Sequence, residues 1–401
     1  MSDFSSLKVH SYVTEVIAAS PPFEHKVDNG VWWLYVQNET VGFWPPSIFN
    51  YLMKNSNIVQ WGGNVFNENS KNGFPPLGSG HSPADGTIPK LELGSLSDVA
   101  VKIGLPDGGC PDGTVPIRRV LFRDLLRSRS SSSFGNRYHN WNKTSPQAGD
   151  SPSRSVSVRT KPGDFRGGQA TFNVWNLAVS DSQYSTASLQ VFRGYGVSGS
   201  KLGVIQAGWM VNKKAFSDSE PRLFAHWSED NEHTKGCFNL ECQGFVQVSR
   251  YVILGAKLFP TSSEFGGPQV DLKVVIYVAN DGVWWLLVNN EHVGFWPPSV
   301  FNNEMKSANV VQWGGDVFNG DLNKSFPPMG SGHFPREGEV KIASYIKELQ
   351  VLNSQGKVED APAGDDVVRN NEAPACYGLT DHGNEGSWHR YFYFGGPGGK
   401  C

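Results

Sequence analysis

One acidic residue, Asp316, stands in a setting where a carboxylate can do chemistry. It lies in VVQWGGDVFN, residues 310–319, directly after two glycines. A carboxyl group facing a second carboxyl or a carboxamide can hydrolyse a peptide without a metal. One group takes a proton from water, and the other stabilises the oxyanion. On a β-sandwich such a side chain projects from a sheet face into a groove. The alternative for Asp316 is a turn residue.

Other familiar catalytic patterns are missing from the sequence. It contains no phosphate-binding loop, no H-E-x-x-H and no G-x-S-x-G. GSGH occurs twice, at 78–81 and 330–333, and puts Ser331 close to His333. A serine-hydrolase triad depends on geometry that this text does not encode, so a tight glycine-rich turn is the preferred interpretation. The sequence predicts no metal site and no cofactor.

The elements that hold Asp316 are predicted to be strands. The 401 residues include 45 Gly, 25 Pro and 12% aromatic residues, and long helical patterns are scarce. This mixture is typical of an all-β protein, and we expect an antiparallel β-sandwich. Hairpins are predicted at Asn280-Asp281-Gly282 and at Asn289-Asn290. A net charge of −3 gives no electrostatic case for nucleic acid, and no apolar run is long enough to span a membrane.

Two pairs of cysteines are close in sequence: Cys237 with Cys242, and Cys376 with Cys401. Two local pairs favour disulfides and an oxidising compartment. A zinc site at the first pair is the weaker alternative, because His233 is the only further ligand nearby. The first residues lack the charged-then-apolar pattern of a signal peptide.

The chain contains an internal duplication. Residues 29–81 align with 281–333 without a gap, with 35 identities in 53 positions. Strand-like sequence at 138–280 precedes the second copy, whereas only 28 residues precede the first. The first copy is therefore predicted to be half a fold, with open strand edges and an exposed apolar face.

A set of motifs in one order resembles the neprosin family of plant glutamic peptidases. They include CPDGTVPIRR, AGW, HWSED, TKGCFNLECQGFVQ, GVWWL, VGFWPPS, WGG-V and MGSGHFP. The resemblance covers residues 137–401 as a full catalytic-type domain and residues 9–92 as a second C-terminal half. It implies a secreted antiparallel β-sandwich, made as a zymogen and matured at acidic pH. The implied activity is endopeptidase cleavage after proline by two glutamates.

The resemblance also defines the predicted domains. These are a partial neprosin-like half-domain at 1–98, an activation-peptide-like segment and linker at 99–136, and a full neprosin-like domain at 137–401. Cys110 then falls in the pro-region and is expected to be free. The resemblance supports Cys237–Cys242 as a loop staple and Cys376–Cys401 as a tail anchor. It implies a secreted or vacuolar protein, although this chain shows no signal peptide, and it sets no oligomeric state.

Both family glutamates are replaced in this chain. The strand that reads I-E-A-G-W in the family is Ile205-Gln206-Ala207-Gly208-Trp209 here, and W-G-G-E-V becomes Trp313 to Val317 with Asp316 inside. The first copy has Asn64 at the second position. Gln206 cannot exchange a proton, but its amide can donate to an oxyanion. Asp316 is one methylene shorter than glutamate, and a misplacement of about 1 Å can cost about 100-fold in rate.

These departures leave three functions open. The preferred one is a prolyl endopeptidase homologue that is inactive or weakly active, with Gln206 and Asp316 at the catalytic positions. The second is an active acid peptidase that uses this Gln/Asp pair, as fungal eqolisins use a Gln/Glu pair. The third is a non-catalytic binder of Pro-rich or cell-wall proteins. A chain that joins two neighbouring gene copies would also have this organisation.

Aromatic side chains are the predicted contacts for proline-containing peptides, because flat rings pack on pyrrolidine rings. The candidates for the groove are Trp209, Trp284 and Trp313. Neighbours on a strand point to opposite faces, so one of Trp284 and Trp285 is expected in the core and the other at the groove or surface.

Overall fold

The computed structural model describes twelve ranges of the chain, and all structural statements below refer to them. They are 23–28, 31–36, 39–44, 99–100, 109–111, 114–118, 152–229, 235–258, 262–321, 323–337, 340–384 and 388–401. The chain divides into two compact units, Met1–Lys90 and Leu91–Cys401. The three-part division predicted from the sequence stays a prediction.

The first unit contains one antiparallel sheet of three strands in sequence order. These strands are β1 (Phe23–Asp28), β2 (Val31–Val36) and β3 (Glu39–Trp44). Asp28 pairs with Val31, and a register shift interrupts the β2–β3 pairing between Leu34 and Tyr35.

The second unit is almost entirely β, with one described α-helix, α1, at Lys213–Phe216. Its strands are β4 (Val99–Ala100), β5 (Ser153–Thr160), β6 (Phe165–Asn173), β7 (Gln183–Arg193), β8 (Gly203–Val211), β9 (Arg222–Ser228), β10 (Gly236–Phe238), β11 (Val246–Gln247), β12 (Val270–Val278), β13 (Trp284–Val288), β14 (Glu291–Trp296), β15 (Val310–Asn319), β16 (Met329–Gly330), β17 (Ser344–Asn353), β18 (Val358–Asp360), β19 (Val367–Asn371), β20 (Gly378–Asn384) and β21 (Arg390–Gly396).

Two sheets pack as a sandwich, which confirms the predicted fold class. The seven-stranded sheet has the order β10-β9-β8-β7-β15-β5-β19. The eleven-stranded sheet follows the path β11-β14-β13-β12-β6-β17-β21-β16, with β18, β20 and β4 paired to its members. Pairing is antiparallel apart from the two-residue contact of β4 with β12.

The core is filled by alternate residues of the two facing sheets. On β15 the side chains of Val311, Trp313 and Val317 belong to this core, and on β12 Leu272 and Val274 meet them from the other sheet. Because strand side chains alternate, the residues between them on β15 point to the opposite face. We call this the outer face: the side of the seven-stranded sheet that points away from the eleven-stranded sheet.

Both predicted hairpins are confirmed. The pairing of β12 with β13 ends at Val278 and Trp284, and Gly282 in the connection has φ +83°. Strands β13 and β14 are joined by Asn289 and Asn290, which have φ +48° and +68°. Asparagine tolerates this left-handed region better than most residues, so the turn chemistry was readable from the sequence.

Within the second unit, residues 109–111 and 114–118 contact β11, the segment after β11 and α1. The backbone N–H of Cys110 donates to the Arg250 carbonyl at 2.9 Å, and Arg250 Nε donates back to the Cys110 carbonyl at 2.6 Å. Gln247 donates to the Pro116 carbonyl, and the Arg118 guanidinium lies 5.2 Å from the centre of the Phe216 ring. Several contacts therefore hold this segment against residues that lie far from it in the sequence.

The structure contains both predicted disulfides, Cys237–Cys242 and Cys376–Cys401, and Cys110 is a free thiol. The shorter bridge closes a loop at the edge strand β10, and the longer one fixes the last residues beside β20 and β21. Among the described residues, no helix is long and apolar enough to cross a membrane.

Candidate active site

Five adjacent strands of the seven-stranded sheet carry a row of polar side chains. Strand register places Arg159, Gln312, Gln190, Gln206 and His226 side by side on β5, β15, β7, β8 and β9. All five belong to the outer face, since their strand neighbours belong to the core. Three carboxamides therefore stand next to one another at the centre of the sheet.

Two positions further along these strands, four residues of the outer face are serine or glycine. Strand register aligns Ser157, Gly314, Ser188 and Gly208 across β5, β15, β7 and β8. A Cβ at Gly314 would lie 2.4 Å from the Val156 carbonyl oxygen, and one at Gly208 would lie 2.1 Å from a carbonyl oxygen of β7. Only glycine fits these two positions. We call this strip of glycine and serine, which lies beside the carboxamide row, the trough.

Asp316 lies across the trough from the carboxamide row. It pairs in register with Ser155 on β5 and Thr186 on β7. Its two carboxylate oxygens accept separate bonds: Oδ1 from the Ser155 hydroxyl at 2.8 Å, and Oδ2 from Gln190 Nε2 at 3.0 Å. Thr186 Oγ1 donates to its backbone carbonyl at 3.3 Å. The carboxylate, which is 1% exposed, is thus held in one orientation.

Gln206 is connected to Asp316 through two side chains of β7, the strand between them. Gln206 Nε2 donates to Ser188 Oγ at 2.8 Å. Gln190 Nε2 lies 3.3 Å from the same hydroxyl and donates to Asp316 Oδ2. The structure therefore brings the two predicted positions onto one buried face and links them by Ser188 and Gln190.

Two aromatic clusters border this polar region on the outer face. One contains Tyr184 and Phe318, whose rings stack with centres 5.2 Å apart. Phe318 follows Asp316 by two residues on β15, so both belong to the same face. The other cluster lies at the far end of the strands and includes Phe192 and Tyr195. Apolar contact surface is thus available on both sides of the polar row.

The three predicted groove tryptophans are core residues instead. Trp209, Trp284 and Trp313 have no exposed surface and belong to the core between the sheets. Each indole N–H donates to a backbone carbonyl: those of Asn173, Met305 and Gln169 respectively. The prediction of these residues as groove contacts was wrong, because Trp209 and Trp313 point to the opposite face from Gln206 and Asp316.

The expected alternation of Trp284 and Trp285 is confirmed. Trp284 is buried in the core, whereas Trp285 is partly exposed on the other face of the eleven-stranded sheet, beside His292 and Phe295. The glycine-rich turn predicted at 330–333 is also present, with positive φ at Gly330 and Gly332. His333 Nδ1 lies 2.9 Å from Glu337 Oε2, so the imidazole interacts with a residue that follows the turn.

Sequence reasoning missed the residues that surround the predicted pair. Ser155, Ser188, Gln190 and Gln312 all contact the pair or one another on the outer face. Their signal was present, since STASLQ at 185–190 places polar residues at every second position of a strand whose other residues are small or apolar. That alternation indicates a polar face opposite the core.

Comparisons with solved structures return glutamic peptidases of low similarity. A crystal structure of scytalido-glutamic peptidase with a peptide-based transition-state analogue is 12% identical, with a TM-score of 0.33 over 61% of this chain and 98% of that one. SCP-B, a member of the eqolisin family of peptidases, in complex with the tripeptide Ala-Ile-His, is 13% identical, with a TM-score of 0.30 over 61% of this chain and 98% of that one.

The family is shown by the sequence itself. A model of the neprosin family matches residues 5–91 and again 181–397, so both copies of the duplication fall within matched segments. The second match contains Gln206, Asp316 and every strand from β7 to β21, whereas β5 and β6 lie before it. This chain belongs to the neprosin family.

Proposed function

We propose that this protein binds proline-containing peptides in the trough on the outer face and hydrolyses them weakly or not at all. The observation that supports the proposal is the hydrogen-bonded link Gln206–Ser188–Gln190–Asp316 on one buried face. The pair is of the right chemical type for acid peptide hydrolysis, but its carboxylate is already engaged on both oxygens.

Reduced catalysis follows from the chemistry of the two side chains. A general base must reach the attacking water, and Asp316 is one methylene shorter than the glutamate it replaces. The bonds from Ser155 and Gln190 hold the carboxylate towards β5 and β7. A glutamine at position 206 can donate to an oxyanion but cannot transfer a proton. One of the two proton-exchanging groups is therefore absent.

A second candidate function is an active acid peptidase that uses the same pair. In this mechanism Asp316 takes a proton from water, the water oxygen bonds to the scissile carbonyl carbon, and the Gln206 amide donates to the oxyanion. The intermediate then collapses, the C–N bond breaks, and the proton on Asp316 passes to the leaving nitrogen. The fixed orientation of the Asp316 carboxylate favours this candidate, because a held base loses less entropy on reaction.

Proline preference is supported by aromatic surface next to Asp316. With the three tryptophans in the core, the partly exposed Phe318 and its stacked neighbour Tyr184 are the rings that border the site. A pyrrolidine ring packs well on such flat faces. We propose that they contact proline, and that the partners of this protein are extracellular or vacuolar peptides. Two disulfides are compatible with such a compartment.

The test uses the full chain, produced with its disulfides, and an internally quenched peptide with a single proline at acidic pH. Binding is measured by fluorescence anisotropy, and cleavage by fluorescence release with mass spectrometry of the products. The matched variants are Asp316→Ala and the double variant Gln206→Glu/Asp316→Glu, which restores both family glutamates. We expect saturable binding by the native chain and cleavage about 100-fold or more slower than by the double variant.

Each outcome separates the candidates. Cleavage after proline by the native chain at the rate of the double variant, lost in Asp316→Ala, would establish the active Gln/Asp peptidase. A folded native chain that neither binds nor cleaves the peptide would refute both candidates.

A further inference from the structure

We propose that Ser157 and Gln312 form a subsite for the peptide backbone. One residue of a bound peptide forms a hydrogen bond with each of these two side chains. The inference rests on the proposed function, because it takes the ligand to be a peptide. It assigns two residues that lie outside the catalytic positions and within reach of the trough.

The observation that carries it is a pair of buried polar atoms without partners. Ser157 and Gln312 have no exposed surface, yet Ser157 Oγ and Gln312 Oε1 have no hydrogen-bond partner. Buried polar groups in native proteins are almost always paired, and an unpaired one needs an explanation. A ligand that supplies the missing partners is the explanation that fits two such atoms on one face next to a catalytic-type carboxylate.

Asp316 dictates which atom of Gln312 stays open. An ionised carboxylate only accepts, so Gln190 must turn its amide NH2 group towards Asp316 Oδ2. Gln190 Oε1 then faces Gln312 and accepts from its Nε2 at 3.3 Å. This bond orients the second amide in turn, and the remaining atom, Gln312 Oε1, is an acceptor with nothing to accept from.

The two open atoms lie on either side of a glycine. Ser157 pairs in register with Gly314, and a Cβ at Gly314 would lie 2.6 Å from Ser157 Cβ. Gln312 precedes Gly314 by two residues on the same face of β15. The two open atoms therefore flank a position without a side chain, and Asp316 lies two residues further along the same strand.

The chemistry of the open atoms matches an extended peptide. Gln312 Oε1 is an acceptor and suits a backbone N–H, whereas the Ser157 hydroxyl can donate to a backbone carbonyl. A residue in an extended peptide offers one of each at a fixed spacing. Such contacts read the backbone and not the side chain, so they position a peptide without adding sequence preference.

The test is a Kd measurement by fluorescence anisotropy on the full chain, with a labelled proline-containing peptide at acidic pH. The principal variant is Ser157→Ala, and a second variant, Gln312→Met, keeps the length of the side chain. The proposal predicts opposite effects on binding and stability for Ser157→Ala. Peptide affinity falls about 3- to 10-fold, the loss typical of one hydrogen bond. The melting temperature holds or rises, because an unpaired buried hydroxyl has been removed.

Ser185→Ala is the matched control. Ser185 is also fully buried with an unpartnered hydroxyl. It lies on the core side of β7, the opposite side of the sheet from Ser157. Its removal is expected to affect the melting temperature as Ser157→Ala does and to leave the Kd unchanged.

A second set of peptides identifies the contact. Replacing single amides of the peptide by esters removes one N–H at a time. One ester position is expected to weaken binding to the native chain and to have no further effect on Gln312→Met.

Three outcomes would overturn the proposal. Equal Kd values for the native chain and Ser157→Ala would refute the subsite while leaving the proposed function intact. A lower melting temperature in Ser157→Ala would mean that the hydroxyl is a structural group with a partner. No peptide binding by the folded native chain would refute the proposed function and the subsite together.

Discussion

The two copies of the duplicated segment form the same hairpin in the two units. Strands β2 and β3 pair Trp32 with Trp44, and β13 and β14 pair Trp284 with Trp296, at the constant sequence offset of the repeat. Each pairing contains a register shift at the equivalent place, Leu34/Tyr35 and Leu286/Leu287. A hairpin and its bulge are therefore encoded within the repeat itself, because they recur in two different contexts.

The copies differ in the strand that precedes this hairpin. Val27 pairs with Trp32 in the first unit, whereas Val278 pairs with Trp284 in the second. These partners are five residues apart in one copy and six in the other. Strand β12 is also paired with β6 along its other edge over residues 271–277, and this second neighbour fixes its register independently of the hairpin. Local sequence thus determines the hairpin, whereas non-local pairing determines the register of the strand that precedes it.

The comparison is sharpest at the candidate site. Asp316 accepts hydrogen bonds from Ser155 and Gln190, which come from strands that precede the second copy. Asn64, the residue that corresponds to Asp316, lies outside the described residues. The repeated segment at 281–333 contains Asp316 but not Gln206.

The largest expected effect concerns the shared tryptophans. Trp284→Ala is expected to lower the free energy of unfolding by about 3–5 kcal/mol, since it empties a fully buried site and leaves the Met305 carbonyl without its indole donor. Trp32→Ala, the equivalent change in the first copy, is expected to cost less. Urea denaturation followed by circular dichroism measures both. Equal losses in the free energy of unfolding would show that Trp32 is buried as fully as Trp284.

The next effect concerns the tail that follows only the second copy. Cys376–Cys401 spans 25 residues and Cys237–Cys242 spans 5. Loop-closure entropy predicts a loss of about 3.5 kcal/mol when the longer bridge is removed and about 2 kcal/mol for the shorter. Paired Cys→Ser variants compared by chemical denaturation test this order. A larger loss from the shorter bridge would show that native contacts, and not the unfolded chain, determine its effect.

A smaller effect is expected at Gly314, two residues before Asp316. Gly314→Ala is expected to cost about 1–3 kcal/mol, because the added Cβ would meet the Val156 carbonyl and the Ser157 side chain. The same change is also expected to weaken peptide binding, since it fills the trough. Gly62→Ala is the matched variant in the first copy. Thermal denaturation of both variants shows whether the tight approach of two strands exists at both places, and a neutral Gly314→Ala would refute it.

The smallest effect lies in a charged pair that has no counterpart in the first copy. Burial disfavours ionisation of Asp218, but the hydrogen bond and charge of Arg222 outweigh it and hold the pKa of Asp218 below its ordinary value of 3.8. A lowered pKa stabilises the folded state above pH 3.8 and loses this effect as the pH falls through the folded-state value. Asp218→Asn is expected to cost about 1 kcal/mol at neutral pH, since the pair is partly exposed.

The pH dependence supplies the check on that prediction. The difference between Asp218→Asn and the native chain should shrink as the pH falls below 3.8, as seen in melting temperatures measured across the acidic range. A difference that stays constant with pH would mean that the asparagine disturbs packing and not charge.

The sequence predicted the architecture better than the site. Alternation and the Asn-rich turns were enough for an antiparallel sandwich, because both are local properties of strands. The tryptophans failed for a reason that strand geometry explains: Trp313 and Asp316 are three residues apart, so they must point to opposite faces. The partners Gln190 and Gln312 needed strand order, since β7 and β15 are neighbours only through long-range pairing. The assignment of Gln206 and Asp316 as catalytic positions stays a prediction.

The contacts of residues 109–118 have a consequence for how a cut chain would behave. Hydrogen bonds and a ring contact join Cys110, Pro116 and Arg118 to Arg250, Gln247 and Phe216, and Cys110 forms no disulfide. A protease that cuts between 119 and 151 would produce two fragments joined only by non-covalent bonds. Native electrophoresis would show one band and a denaturing gel two, with or without reductant. Such a cut would thus leave the mass of the native particle unchanged.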